Sequence, residues 1–195
     1  RKVLRCVGDP DRRFREDALR IMRGLRFAAV LGFSVEDATG AGLHRNRELL
    51  AEIAVERIQV ELWKLLCGLQ AAELLRAYPD VIGVFWPEIL PMVGFDQKNR
   101  HHCYDVWEHT LHALAAGPAG AGVRWARLLP DIGKPRCFTA DGNGVGHFYG
   151  HGGISRDMAD DMLRRLKCST EFRETGVRLV DWHDRNIPRT DKSIR

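Results

Sequence analysis

Over most of this chain, apolar residues return every three to four positions, the spacing that gathers them on one face of an α-helix. In FREDALRIMRGLRFAAVL, Phe14, Ala18, Ile21, Leu25 and Ala28 keep that spacing and predict a helix from residue 14. Its acids, Glu16 and Asp17, fall in the predicted first turn, where the helix dipole favours negative charge. VERIQVELWKLLCG repeats the pattern and stops at Gly68, a residue type that commonly ends helices. The same periodicity predicts helices near residues 37–50, 70–78, 104–116, 123–132, 154–167 and 171–184. A strand is expected only at residues 2–7, so the predicted fold class is all-α. Pro, Gly and polar residues mix in PEILPMVGFDQKNRHH, residues 87–102. That stretch reads as a boundary between a helical unit at 1–90 and a second at 91–195.

Composition bounds this picture without changing it. At 195 residues, 45% hydrophobic and 29% charged, the chain has the make-up of a globular protein with a substantial core. No run of 18 apolar residues occurs, so no membrane span is predicted. The five cysteines are odd in number, widely spaced and free of CxxC, which disfavours a disulfide framework or a thiolate zinc site and fits a reducing cytoplasm. The chain opens on Arg1 with no signal peptide, and a cut or processed N-terminus is expected.

Charge does change the picture, because the net +4 is unevenly placed. Residues 1–30 carry nine Arg and Lys against Asp9, Asp11, Glu16 and Asp17, which leaves the remainder close to neutral. A basic end suits a polyanion such as RNA. On charge alone, a solvated helix face laced with ion pairs is the commoner outcome.

Several motifs fail in context. GPAGAG at 117–122 lacks the Gly-Lys-Ser/Thr that grips a phosphate and reads as a helix connector. DGNGVGHFYGHGG never spells GxGxxG, which disfavours a dinucleotide fold. DPD at 9–11 resembles a two-metal Asp-x-Asp, but Pro10 splays the pair. It reads as a helix start, with Asp11 as the candidate N-cap.

Two constellations remain. Glu16, Asp17, Arg20 and Arg23 lie three to four residues apart, so a helix would put them on one face with Arg13. An Asp beside an Arg supplies acceptors and a fork of donors, which can match the pairing edge of a base. Taken alone, the stripe is read as ordinary intrahelical salt bridges. The second set is His109, Asp131, His147, His151, His183 and Asp184, all on or beside predicted helices. Imidazoles and carboxylates together suit Mg²⁺ or a transition-metal ion that activates water for phosphoester hydrolysis. Scattered structural histidines are the plainer alternative.

The stretches RCVGDPDRRFREDALRIMRGLRFAAVLGF and ERIQVELWKLL resemble the neck of bacterial CCA-adding tRNA nucleotidyltransferases and poly(A) polymerases. HCYDVWEHTLHAL, LLPDIGKP, HFYGHGGISRDMADDML and LVDWHD resemble the HD domain that follows that neck in many members. The resemblance implies that Glu16, Asp17 and Arg20, with Arg23, select the incoming CTP or ATP, and that Arg12, Arg13 and Arg26 face the 3′ end of a tRNA or other RNA. It also implies a catalytic head before Arg1, so the chain is expected to be an internal fragment that adds no nucleotide by itself. The HD pattern maps metal ligands onto His109, the 130–131 pair and Asp184, with Asp131 and Lys134 as catalytic candidates. Pro130 stands where a ligand histidine is expected. A weakened metal site follows, unless His147, His151 or His183 compensates. Three readings stay open: a transferase fragment, a free-standing HD phosphohydrolase on nucleotide or cyclic phosphate esters, and a non-catalytic RNA-binding module. No motif fixes the oligomeric state or the metal.

Overall fold

The computed structural model describes residues 2–99, 103–118 and 120–183. The fold is all-α with two very small strand pairs. The helix expected from residue 14 is in fact two helices, α1 (Pro10–Glu16) and α2 (Leu19–Leu31). Asp17 breaks them apart: its backbone is extended at φ −156°, ψ 100°, and its side chain accepts the Leu19 N–H at 3.2 Å. A short Asp side chain that competes for backbone donors in this way favours a turn over a continuous helix. The break lets Phe14 of α1 and Leu19, Ile21 and Met22 of α2 all point into one core. Asp9, not Asp11, caps α1, accepting the Arg12 N–H at 2.8 Å. Asp11 instead ties α1 to the end of the third helix, binding Arg45 at 2.9 Å and Asn46 at 2.5 Å.

The strand expected at 2–7 survives as β1 (Val3–Leu4), paired in parallel with β2 (Ser34–Val35). Helix α3 (Asp37–Arg45) follows, and the end of the helix predicted over 37–50 tightens into a 3₁₀ turn at Arg47–Glu52. Helix α4 (Val55–Leu66) lays Ile58, Leu62, Leu65 and Leu66 against α2. A Cβ on Gly68 would sit 2.6 Å from the Ala29 carbonyl carbon, so this glycine is required by the close approach of the two chains. The Gln70 N–H then bonds the Ala29 oxygen at 3.1 Å.

Helices α5 (Ala71–Ala77) and α6 (Pro79–Gly83) lead into a 3₁₀ turn at Pro87–Met92. Helix α7 (Val106–Ala115) is capped by Asp105, and α8 (Ala121–Leu128) stops before Pro130, whose ring and missing N–H oppose a continued helix. The short α9 (Lys134–Cys137) precedes an antiparallel pair, β3 (Thr139–Ala140) and β4 (Gly146–His147). Helices α10 (His151–Arg165) and α11 (Thr170–Trp182, capped by Ser169) close the chain. One apolar cluster runs from Phe14 and Leu25 through Trp86 and Ile89 to Leu111, Trp125 and Leu163. It passes through the expected boundary at 87–102, where Ile89, Met92 and Gln97 are fully buried. Among the described residues, no helix is long and apolar enough to cross a membrane.

Candidate functional site

The turn between α1 and α2 gathers the first predicted set. Glu16 accepts from Arg12 at 3.2 Å, Arg13 at 2.5 Å and Arg20 at 3.0 Å. The bond from Arg20, with the Arg13 and Arg12 charges behind it, holds the Glu16 carboxyl below its ordinary range. Arg20 also donates to the Arg13 carbonyl at 3.0 Å, which fixes its guanidinium across the turn. Asp17 does not pair with Arg20; its nearest cation is Arg23, at 3.8 Å, because the extended backbone turns Asp17 off the shared face. Arg23 lies between Asp17 and the buried Glu61 of α4, 3.8 Å from each. Arg26 binds Glu61 at 2.5 Å and lies 3.7 Å above the Phe27 ring, so it points toward the helix interface. Beside the turn, Arg13, Arg20 and Arg23 line a cavity of about 250 Å³ together with Cys6, whose thiol burial pushes up.

The second set converges on the largest cavity described, about 710 Å³. Helix α7 presents His109, α8 presents Arg127, and the turn after Leu129 carries Pro130 and Asp131. Gly133 lets this turn meet α10: a Cβ there would lie 2.7 Å from the Ser155 nitrogen, and the Gly133 N–H bonds the Ser155 hydroxyl at 3.0 Å. Asp131 Oδ1 accepts from the buried Lys134 ammonium at 3.1 Å, and Oδ2 lies 3.7 Å from His109 Nε2. Lys134 also donates to the buried Gln97 side chain at 3.1 Å.

Two imidazoles complete the cluster. His151 Nδ1 lies 3.0 Å from the Phe148 carbonyl, and His183 Nδ1 lies 2.5 Å from that of Val180. A carbonyl accepts only, so each Nδ1 donates, and the neutral form of either ring would carry its lone pair on Nε2. Those two Nε2 atoms are 3.1 Å apart, and His151 Nε2 is 3.8 Å from Asp131. Facing lone pairs beside a carboxylate are electrostatically satisfied by a cation, either a shared proton or a metal ion. Asp131, His151 and His183 offer donor atoms all within 4.8 Å of one another, so this set fits a divalent ion. His147 is not part of it: it pairs with Asp141 at 3.2 Å and stacks on Tyr149. Asp184 lies outside the described residues.

Residues 32–78 match a family model described as "Probable RNA and SrmB- binding site of polymerase A". The chain is 36% identical over 193 residues, 92% of its length, to a CC-adding tRNA nucleotidyltransferase of Thermus thermophilus. It belongs to the family of tRNA nucleotidyltransferases and poly(A) polymerases. Another member, the A-adding tRNA nucleotidyltransferase of Deinococcus radiodurans, is 32% identical over the whole chain. The crystal structure of the Bacillus stearothermophilus CCA-adding enzyme in complex with CTP superposes with a TM-score of 0.64 at 28% identity, covering all of this chain and 42% of that one. The chain spans about half the length of these curated relatives, 44% and 47% of the two tRNA nucleotidyltransferases.

Spacing alone put Glu16, Asp17, Arg20 and Arg23 on one face; Glu16 does meet Arg20, but Asp17 is turned off that face toward Arg23. Spacing missed Glu61, Gln97 and Arg127. Glu61 is one acid among several on an amphipathic helix, and Gln97 sits in a stretch that reads as a linker. Only their burial against a cation sets them apart.

Proposed function

We propose that this chain supplies the nucleotide-selecting and RNA-facing part of a tRNA nucleotidyltransferase whose catalytic head lies outside the chain. On this reading residues 1–90 form the neck and residues 91–195 an HD-type domain. The observation that carries it is the α1–α2 turn, with Asp17 and Arg20 immobilised beside a cavity lined by four arginines, Arg5, Arg13, Arg20 and Arg23. An incoming CTP or ATP needs two things: donors and acceptors in a fixed plane to read its base, and positive charge for its phosphates. Asp17 and Arg20 supply the first, while Arg13 and Arg23 supply part of the second. Arg12 and Arg13 lie at the exposed edge, toward the 3′ end of the bound tRNA. The reading is tested by CTP and ATP preference in a longer enzyme that carries this chain behind its head, with Asp17 or Arg20 replaced. Unchanged preference sinks it.

A second reading concerns the large cavity. The facing Nε2 atoms of His151 and His183, beside Asp131, support a divalent-ion site of the HD type, with transition metals favoured over Mg²⁺ by the two imidazoles. A bound ion would acidify water for attack on a phosphoester. Asp131 would hold it with the two histidines, His109 would face the attacked phosphate, and Lys134 would fix Asp131 and neutralise phosphate charge. Pro130 brings no donor, so the site is weak and hydrolysis impaired. Calorimetric titration with Mn²⁺ or Zn²⁺ tests it.

A further inference from the structure

We infer that the groove between α4 and the turn joining α10 to α11 seats an unpaired RNA nucleotide; this rests on the RNA-binding reading above. The groove is about 510 Å³ and shares no lining residue with the cavity at the α1–α2 turn. Its floor is aromatic: the rings of Trp63 and Phe172 lie 4.3 Å apart. Beside them Val60 is 47% exposed, an apolar surface that no described element covers. The rim is cationic. Lys64 and Lys167 line the groove, and Arg57 stands seven positions before Lys64 on the same exposed helix face.

Arg57 and Lys64 are exposed and enter no ion pair among the described residues. Lys167 contacts Glu56 at 2.5 Å, but both side chains are more than half exposed, at 60% and 52%. An exposed pair of that kind holds weakly and is readily exchanged for a phosphate. Lys167 also sits in the left-handed region, at φ 52°, where the end of α10 turns its side chain back toward α4. Exposed cations beside an aromatic floor fit a nucleotide, whose base stacks while its phosphate meets the charges. A duplex keeps its bases inside, so the occupant is a single-stranded or looped-out residue. The α4 half of the groove falls within residues 32–78, the stretch matched by the RNA-binding family model.

The test uses the 195-residue chain and three probes: a tRNA transcript lacking its 3′ CCA, a short oligoadenylate and a blunt-ended RNA duplex. The doubly substituted Arg57→Glu, Lys64→Glu chain should bind the transcript and the oligoadenylate about tenfold more weakly, with a salt slope reduced by about 1 to 2. Both positions are exposed, so the fold should persist, as a circular dichroism melt would verify. Phe172→Leu keeps the apolar volume and removes the ring, and it should weaken oligoadenylate more than duplex. Equal losses on both probes would overturn the base seat. If the unaltered chain binds RNA and all the variants bind as well, the groove inference alone falls and the groove is left to a protein partner. If the unaltered chain binds none of the three probes, the RNA-binding reading falls with it.

Discussion

Single side chains decide most of what periodicity misreads here. Asp17 carries an ordinary helical spacing, yet its carboxylate captures the Leu19 N–H and splits one predicted helix into two. Gly68 reads as a plain helix stop, whereas its missing Cβ is what lets the end of α4 touch the Ala29 backbone. Gly68→Ala should therefore destabilise the chain by about 1–3 kcal/mol, as overpacking of a tight contact does, and chemical denaturation would measure it. No loss would mean that α4 can shift freely off α2. Pro130 stands where the resemblance expects a ligand histidine, and in the fold it lines the cavity just past the end of α8. The pairing of His151 with His183 was not legible in the sequence, since they are 32 residues apart and only the packing of α10 on α11 brings them together. His183→Ala should remove most of the Mn²⁺ or Zn²⁺ binding seen by calorimetry, and Pro130→His should strengthen it. Equal heats in all three chains would count against the metal site.

Among elements, polar contacts between helices carry a pH dependence whose sign can be worked out. Arg76 of α5 grips Glu108 of α7 with two bonds, at 2.7 and 2.9 Å. That contact lowers the Glu108 pKa from its ordinary 4.5. A lowered carboxyl contributes stability that is complete above the ordinary value and is lost as pH falls through the lowered one. Glu16, held down by Arg20, and Asp11, held down by Arg45, add to the same limb. Glu108→Gln should lower the melting temperature near neutrality and leave it flatter between about pH 6 and about pH 3. Parallel acid limbs in the two chains would show that the pair is thermodynamically silent. Glu16 with Arg20 was legible as an i,i+4 pair, whereas Asp11–Arg45 and Arg76–Glu108 were not, because each joins residues more than 30 positions apart.

Across the whole molecule, the class of fold was legible and its continuity was not. A helical period in long amphipathic stretches such as VERIQVELWKLL leaves little choice of element. Composition at 87–102 suggests a linker, but Ile89, Met92 and Gln97 are buried there and one core passes through. The α1–α2 turn and the histidine cavity are therefore mounted on a common apolar body. Such a shared support suits the proposed base selection, since a bidentate match is worth about 1–3 kcal/mol only when its donors and acceptors are held in place. The most direct measurement is the ratio of CTP to ATP incorporation on a tRNA transcript, in an enzyme carrying this chain behind its catalytic head. With Asp17→Ala or Arg20→Ala that ratio should shift toward indifference by about tenfold or more while tRNA affinity stays unchanged. A ratio that does not move, or one that moves only with tRNA affinity, would contradict the account.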